Sequence, residues 1–204
     1  MPVDVKPPQR EALSVSGERQ RRFTAEEYHA IARAGILGED DPVELIDGAI
    51  VEKRPVGGPH VSCVNRSNRL LFRRVDPEAV VSVQNPVRLD AHQEPEPDLA
   101  LLRPSRARED VPRADEVLLV VEVADTSLDF DRDVKVPRYA ASGVPEVWLV
   151  ALAEDYVEVF RRPERQTYRT VERKRRGQSL SLDAFPQAEE LSVEEVLGED
   201  ETPS

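Results

Sequence analysis

The segment VLLVVEVA at 117–124 constrains this chain more than any other stretch. It is apolar on both faces apart from Glu122, so it reads as the central strand of a sheet covered on both sides. An ionised carboxylate in such a strand costs several kcal/mol unless it is paired, hydrogen-bonded or bound to a metal. The fold must therefore bring something to Glu122.

The flanking sequence supplies the layers. Thr24 and Glu27 form a capping-box signature, which predicts a helix from there to about Ala34, ended by Gly35. VELIDGAIVEK at 43–53 predicts a hairpin, because Asp47-Gly48 readily takes the positive φ of a tight turn. The loop RPVGGP at 54–59 leads into a helix over 60–75, marked by Val61, Val64, Leu70, Leu71 and Val75. Val80 to Leu89 alternates like a half-buried strand, bulged at Pro86, and 97–102 reads as the next strand. Asp131 to Ser142 reads as a helix stopped by Gly143 and Pro145; Pro137 fits if the helix begins near Asp133, where first-turn amides lack partners. Strands follow over 146–152, 156–160, 167–172 and 179–182, the later ones extending the sheet. This order predicts an α/β sandwich, with one domain over 21–197, a flexible segment over 1–20 and an acidic tail over 198–204.

Composition narrows the function. The formal net charge is −12 over 204 residues, so bulk charge does not hold the chain on nucleic acid, and any such role must be local. The basic stretch 161–176 has eight Arg or Lys against two Glu; it could touch phosphates or could be a solvated strand pair. Residues 177–204 carry eight acids and no base. No apolar run reaches the roughly 18 residues of a membrane span, and the opening residues lack an apolar signal core, so the expected location is the cytoplasm. A single cysteine, Cys63, excludes an internal disulfide and a cysteine-rich zinc cluster, and only His29, His60 and His92 accompany it. Any metal is expected on carboxylates, which favours Mg²⁺ or Mn²⁺ over zinc.

Three residues are candidate partners for Glu122. Asp98 closes the acidic run EPEPD at the start of the preceding strand; paired strands would set it beside Glu122, where two like charges need a cation or a shared proton. Lys135, expected in the first turn of its helix, opposes the macrodipole there and invites another reason for its position. Glu44 shares a face with Ile46 and can point inward. Two acids and a lysine suit metal-assisted phosphodiester cleavage, the carboxylates holding the ion and the lysine orienting the attacking water. Asp131 stands four residues before Lys135 as a candidate ion-pair partner, while Tyr139 and Trp148 read as core.

The order of these motifs resembles the Uma family of restriction-endonuclease-like proteins, a branch of the PD-(D/E)XK nuclease superfamily. The resemblance rests on FTAEEY at 23–28, VELIDGAIVEKRPVGGPH at 43–60, QNPVRL at 84–89, EPDLALL at 96–102 and LLVVEVADTSLDFDRDVKVPRYAASGVPEVWLV at 118–150. It implies a restriction-endonuclease-like αβββαβ core, here with an N-terminal helix and hairpin and extra C-terminal antiparallel strands. It also implies a Mg²⁺-dependent DNA endonuclease site, with a homodimer expected by analogy. The PD pair falls on Pro97 and Asp98, and the second acid on Glu122; these two acids would be the metal ligands. Ala124 stands where the superfamily's lysine would be, and Lys135 on the following helix matches its replacement. Glu44 matches the acid of the early hairpin, and His60 a histidine that could bind substrate or cap its helix. The alternative is a non-catalytic module that keeps the nuclease fold to bind a protein or nucleic acid, favoured by the acidic charge and Ala124.

Overall fold

A computed structural model describes residues 20–38, 41–104 and 110–198. The expected loose segments at 1–20 and 198–204 lie outside these residues, apart from Gln20 and Gly198. Helix α1 (Ala25–Arg33) begins on the predicted capping box, Thr24 Oγ1 accepting from the Glu27 amide and Glu27 Oε2 from the Thr24 amide. Strands β1 (Val43–Ile46) and β2 (Ala49–Glu52) form the predicted hairpin. Asp47 (φ 52°) and Gly48 (φ 76°) both sit in the left-handed region, the requirement of the two-residue turn that matches strand twist. A Cβ on Gly48 would lie 2.6 Å from Arg22 Cβ and 2.9 Å from Arg22 Cα. Gly48→Ala is therefore expected to cost about 2 kcal/mol from backbone strain and crowding, lowering Tm by roughly 5 °C; thermal unfolding checks this.

Helix α2 (Gly58–Val75), with Pro59 in its first turn, precedes β3 (Val80–Val83), β4 (Leu99–Leu102) and β5 (Val117–Ala124). A short helix α3 (Leu128–Phe130) continues through a π turn at Asp131–Lys135 into α4 (Val136–Ala141). Strands β6 (Glu146–Ala151), β7 (Tyr156–Glu164) and β8 (Thr167–Arg175) complete a six-stranded sheet of order β3-β4-β5-β6-β7-β8. Within this sheet β5 and β6 pair in parallel, joined by the α3–α4 crossover, and the other neighbours are antiparallel. Every residue of β5 is buried, as a run apolar on both faces demands. On one face Leu119, Val121 and Val123 pack with Cys63, Val64, Leu71 and Val75 of α2 and with the C-terminal helix α5 (Val193–Leu197). On the other, Val120 and Ala124 pack with Val136, Tyr139 and Ala140 of α4. This second face carries Glu122. Each fully buried aliphatic side chain here contributes about 1.5–3 kcal/mol.

Three expectations are corrected. The strand predicted over 80–89 stops at Val83, because Gln84 turns the chain at φ 49° and Asn85 bonds back to Ser82 and Val83. Val87 and Leu89 are buried by a loop instead, their amides bonded to Pro95 O and Gln93 O. The helix expected to begin near Asp133 begins at Leu128, and Lys135 lies in its middle rather than in a first turn. Its π turn, closed by the Val136 amide on Asp131 O, locally loosens the ladder in which Pro137 cannot donate. The 179–182 segment does not extend the main sheet: β9 (Ser179–Leu180) pairs with β10 (Leu191–Ser192) in a separate ladder. The basic stretch 161–176 forms most of the β7–β8 hairpin. Arg161, Arg169, Arg173, Lys174 and Arg176 pair there with Glu146, Glu164, Glu158, Glu172 and Asp155, which fits the solvated strand pair better than a phosphate track.

Candidate active site

Glu44 of β1, His60 of α2, Asp98 just before β4, Glu122 of β5 and Lys135 of the π turn line one cavity of about 300 Å³. The sheet register explains two of them. Leu99 pairs with Val121, so Asp98, one residue further out, falls opposite Glu122. The Asp98 carboxylate then turns back on the sheet end, where Oδ2 accepts from the Val123 amide over 2.8 Å. His60, in the first turn of α2, meets the same carboxylate through Nε2 at 3.1 Å. His60 Nδ1 is buried without a hydrogen-bond partner among the described residues, so the ring contacts Asp98 and does not cap its helix.

The lysine reaches the site although Ala124 stands two residues after Glu122. The Lys135 ammonium donates to Glu122 Oε1 over 3.2 Å and lies 3.1 Å from Glu44 Oε2. Glu44, inward-facing and 3% exposed as β1 allows, also accepts from the Glu96 amide through Oε2. Burial pulls the Lys135 ammonium toward neutrality, but Glu122, Glu44 and Asp131 outweigh that and raise its pKa well above the usual lysine value. It remains a fixed cation. Burial pushes the Glu122 carboxyl up to about 8 against the opposing pull of Lys135, and Asp131, Asp98 and Glu44 add to the rise. For His60, the hydrogen bond to Asp98 raises the pKa against the effect of burial.

Two site residues were not identified as such from the sequence. Tyr139, expected as core, is fully buried and donates to Glu122 Oε1 over 2.6 Å. Asp131 is 4% exposed, lines the cavity and accepts from Ser127 Oγ; it has no direct ion pair with Lys135 among the described contacts. Burial raises its pKa, and nearby Lys135 works against that. The spacing 131, 135, 139 is the signal that could have grouped them, since residues four apart share a helix face.

The donor set suits a hard divalent cation. Asp98 and Glu122 offer carboxylate oxygens in a cavity whose acids outnumber its buried cation. Tyr139 and Lys135 both meet Glu122 at Oε1, while Oε2 has no donor among the described residues. No group of three His, Cys, Asp or Glu side chains among the described residues is arranged to hold a metal. That is compatible with Mg²⁺, which is commonly bound through one or two carboxylates while waters and substrate phosphates complete its shell.

The site sits in a known architecture. The structure aligns with a crystal structure from Anabaena variabilis described as a putative nuclease belonging to DUF820, with a TM-score of 0.69 and 19% identity, covering 86% of this chain and 97% of that one. This likeness shows the fold. No curated protein matches the sequence. None of the helices among the described residues is long and apolar enough to cross a membrane. The model of the Uma2 family, described as "Putative restriction endonuclease", matches residues 25–194, and the chain belongs to that family.

Proposed function

We propose that this chain is a metal-dependent endonuclease that hydrolyses DNA phosphodiester bonds. The observation that carries this reading is the buried contact of Lys135 with Glu122 across 3.2 Å. It places an ammonium beside the central acid despite Ala124. In this reading Asp98 and Glu122 would hold a divalent cation, Mg²⁺ or Mn²⁺, which would supply Lewis-acid stabilisation for charge building on the phosphoryl oxygens. An ammonium has three N–H donors; Glu44 and Glu122 engage two, leaving one for the attacking water or the scissile phosphate. A lysine held so firmly protonated orients and stabilises charge rather than accepting a proton. Glu44 fixes its position, and His60 fixes Asp98.

The test is incubation with supercoiled plasmid, linear duplex and single-stranded RNA in Mg²⁺, Mn²⁺ or EDTA. Nicking of plasmid in either metal, its absence in EDTA and its loss in Asp98→Ala are expected. A folded protein that cuts none of these substrates and binds no divalent ion would instead be the non-catalytic module.

A further inference from the structure

We propose that Tyr139 is a positioning residue for the metal-binding carboxylate, a role that rests on the nuclease reading above. Its hydroxyl donates to Glu122 Oε1 over 2.6 Å, and Lys135 donates to the same oxygen over 3.2 Å. Two donors on one oxygen hold the side chain in a single orientation. Oε2 is then the oxygen of Glu122 available to a cation in the cavity that Glu122 lines.

Ordinary core packing does not account for this acceptor. A buried phenol needs a hydrogen-bond partner, but a backbone carbonyl serves equally well. Tyr168, also buried and in the same apolar cluster, makes that choice by donating to Val144 O over 2.8 Å. Tyr139 instead donates to the one carboxylate of the central strand. Its place four residues after Lys135 puts a cation and a neutral donor on the same helix face. The neutral donor orients Glu122 without cancelling negative charge, as outer-shell partners of metal ligands do.

The test compares wild type, Tyr139→Phe and Tyr168→Phe, which each lose one buried hydroxyl and keep the ring. Mn²⁺ affinity is read from the free-ion signal by electron paramagnetic resonance, and kcat and KM from plasmid nicking. Tyr139→Phe is expected to bind Mn²⁺ about 10-fold more weakly and to lose about 10- to 100-fold in kcat, with KM for DNA essentially unchanged. Tyr168→Phe is expected to match wild type in both. Wild-type Mn²⁺ affinity and kcat in Tyr139→Phe would overturn the role, as would equal losses in Tyr168→Phe. Loss of folding in Tyr139→Phe alone would mark the bond as structural and also overturn it. If wild type binds Mn²⁺ and cuts while Tyr139→Phe matches it, the nuclease reading stands alone. If wild type binds Mn²⁺ without cutting, that reading fails and the titration still decides the role of Tyr139. If wild type does neither, both fall.

Discussion

Lys135→Ala is expected to destabilise the protein by about 3–5 kcal/mol and to lower cleavage at least about 1,000-fold. The stability loss follows from what the ammonium leaves behind. Burial already pushes the Glu122 carboxyl up to about 8, so without Lys135 it takes a proton, whereas Glu44, 3% exposed, loses the cation it pairs with; stranding a buried charge costs far more than an exposed pair contributes. Tyr139 and the Glu96 amide still reach the two carboxylates, but neither carries charge. The activity loss follows from removing a fixed donor where phosphoryl charge develops. Urea unfolding and single-turnover nicking below the variant's own transition separate the two effects. Wild-type stability in this variant would mean that the two acids do not depend on Lys135.

Glu122→Gln is expected to move activity and stability in opposite directions. The amide keeps an oxygen able to accept from Tyr139 and Lys135, and Glu44 still pairs with Lys135. It removes the carboxylate that burial, Asp131, Asp98 and Glu44 together disfavour more than Lys135 favours it. We expect a gain of about 1 kcal/mol, seen as a Tm higher by about 2–4 °C in metal-free buffer. Cleavage should fall at least about 1,000-fold, because with the amide oxygen held by Tyr139 and Lys135 the NH2 that replaces Oε2 can only donate and carries no negative charge. A Tm several degrees below wild type would show that the Glu122 charge stabilises the fold.

The central strand and its acid were legible because burial on both faces leaves a plain mark in sequence. VLLVVEVA tolerates no other placement, and a lone carboxylate within it demands partners. The hairpin was legible for the same kind of reason, since Asp47-Gly48 tolerates the left-handed backbone that its turn requires. The π turn left no such mark: one widened turn changes hydrogen bonding without changing residue type. That is why Lys135 was misplaced in a first turn, whereas Pro137 does fall in the first turn of α4, after the π turn. Tyr139 was read as core because burial and a specific hydrogen bond look alike in sequence, and in the structure it has both. The strand predicted over 80–89 failed because a loop can bury alternate residues as a strand does, as Val87 and Leu89 show. Asp131 was a candidate partner of Lys135 on spacing; its carboxylate accepts from Ser127 and lines the cavity, and its charge acts on Lys135 without a direct ion pair among the described contacts.

In the proposed function Glu122, held by Lys135 and Tyr139, is an acid of a metal-dependent phosphodiesterase. The most direct measurement is Mg²⁺-dependent nicking of supercoiled plasmid by wild type and by folded Glu122→Gln at equal concentration. Nicking by wild type is expected to require Mg²⁺ or Mn²⁺ and to be absent in Glu122→Gln. Equal nicking by the two proteins, or cleavage by wild type that persists in EDTA, would contradict it.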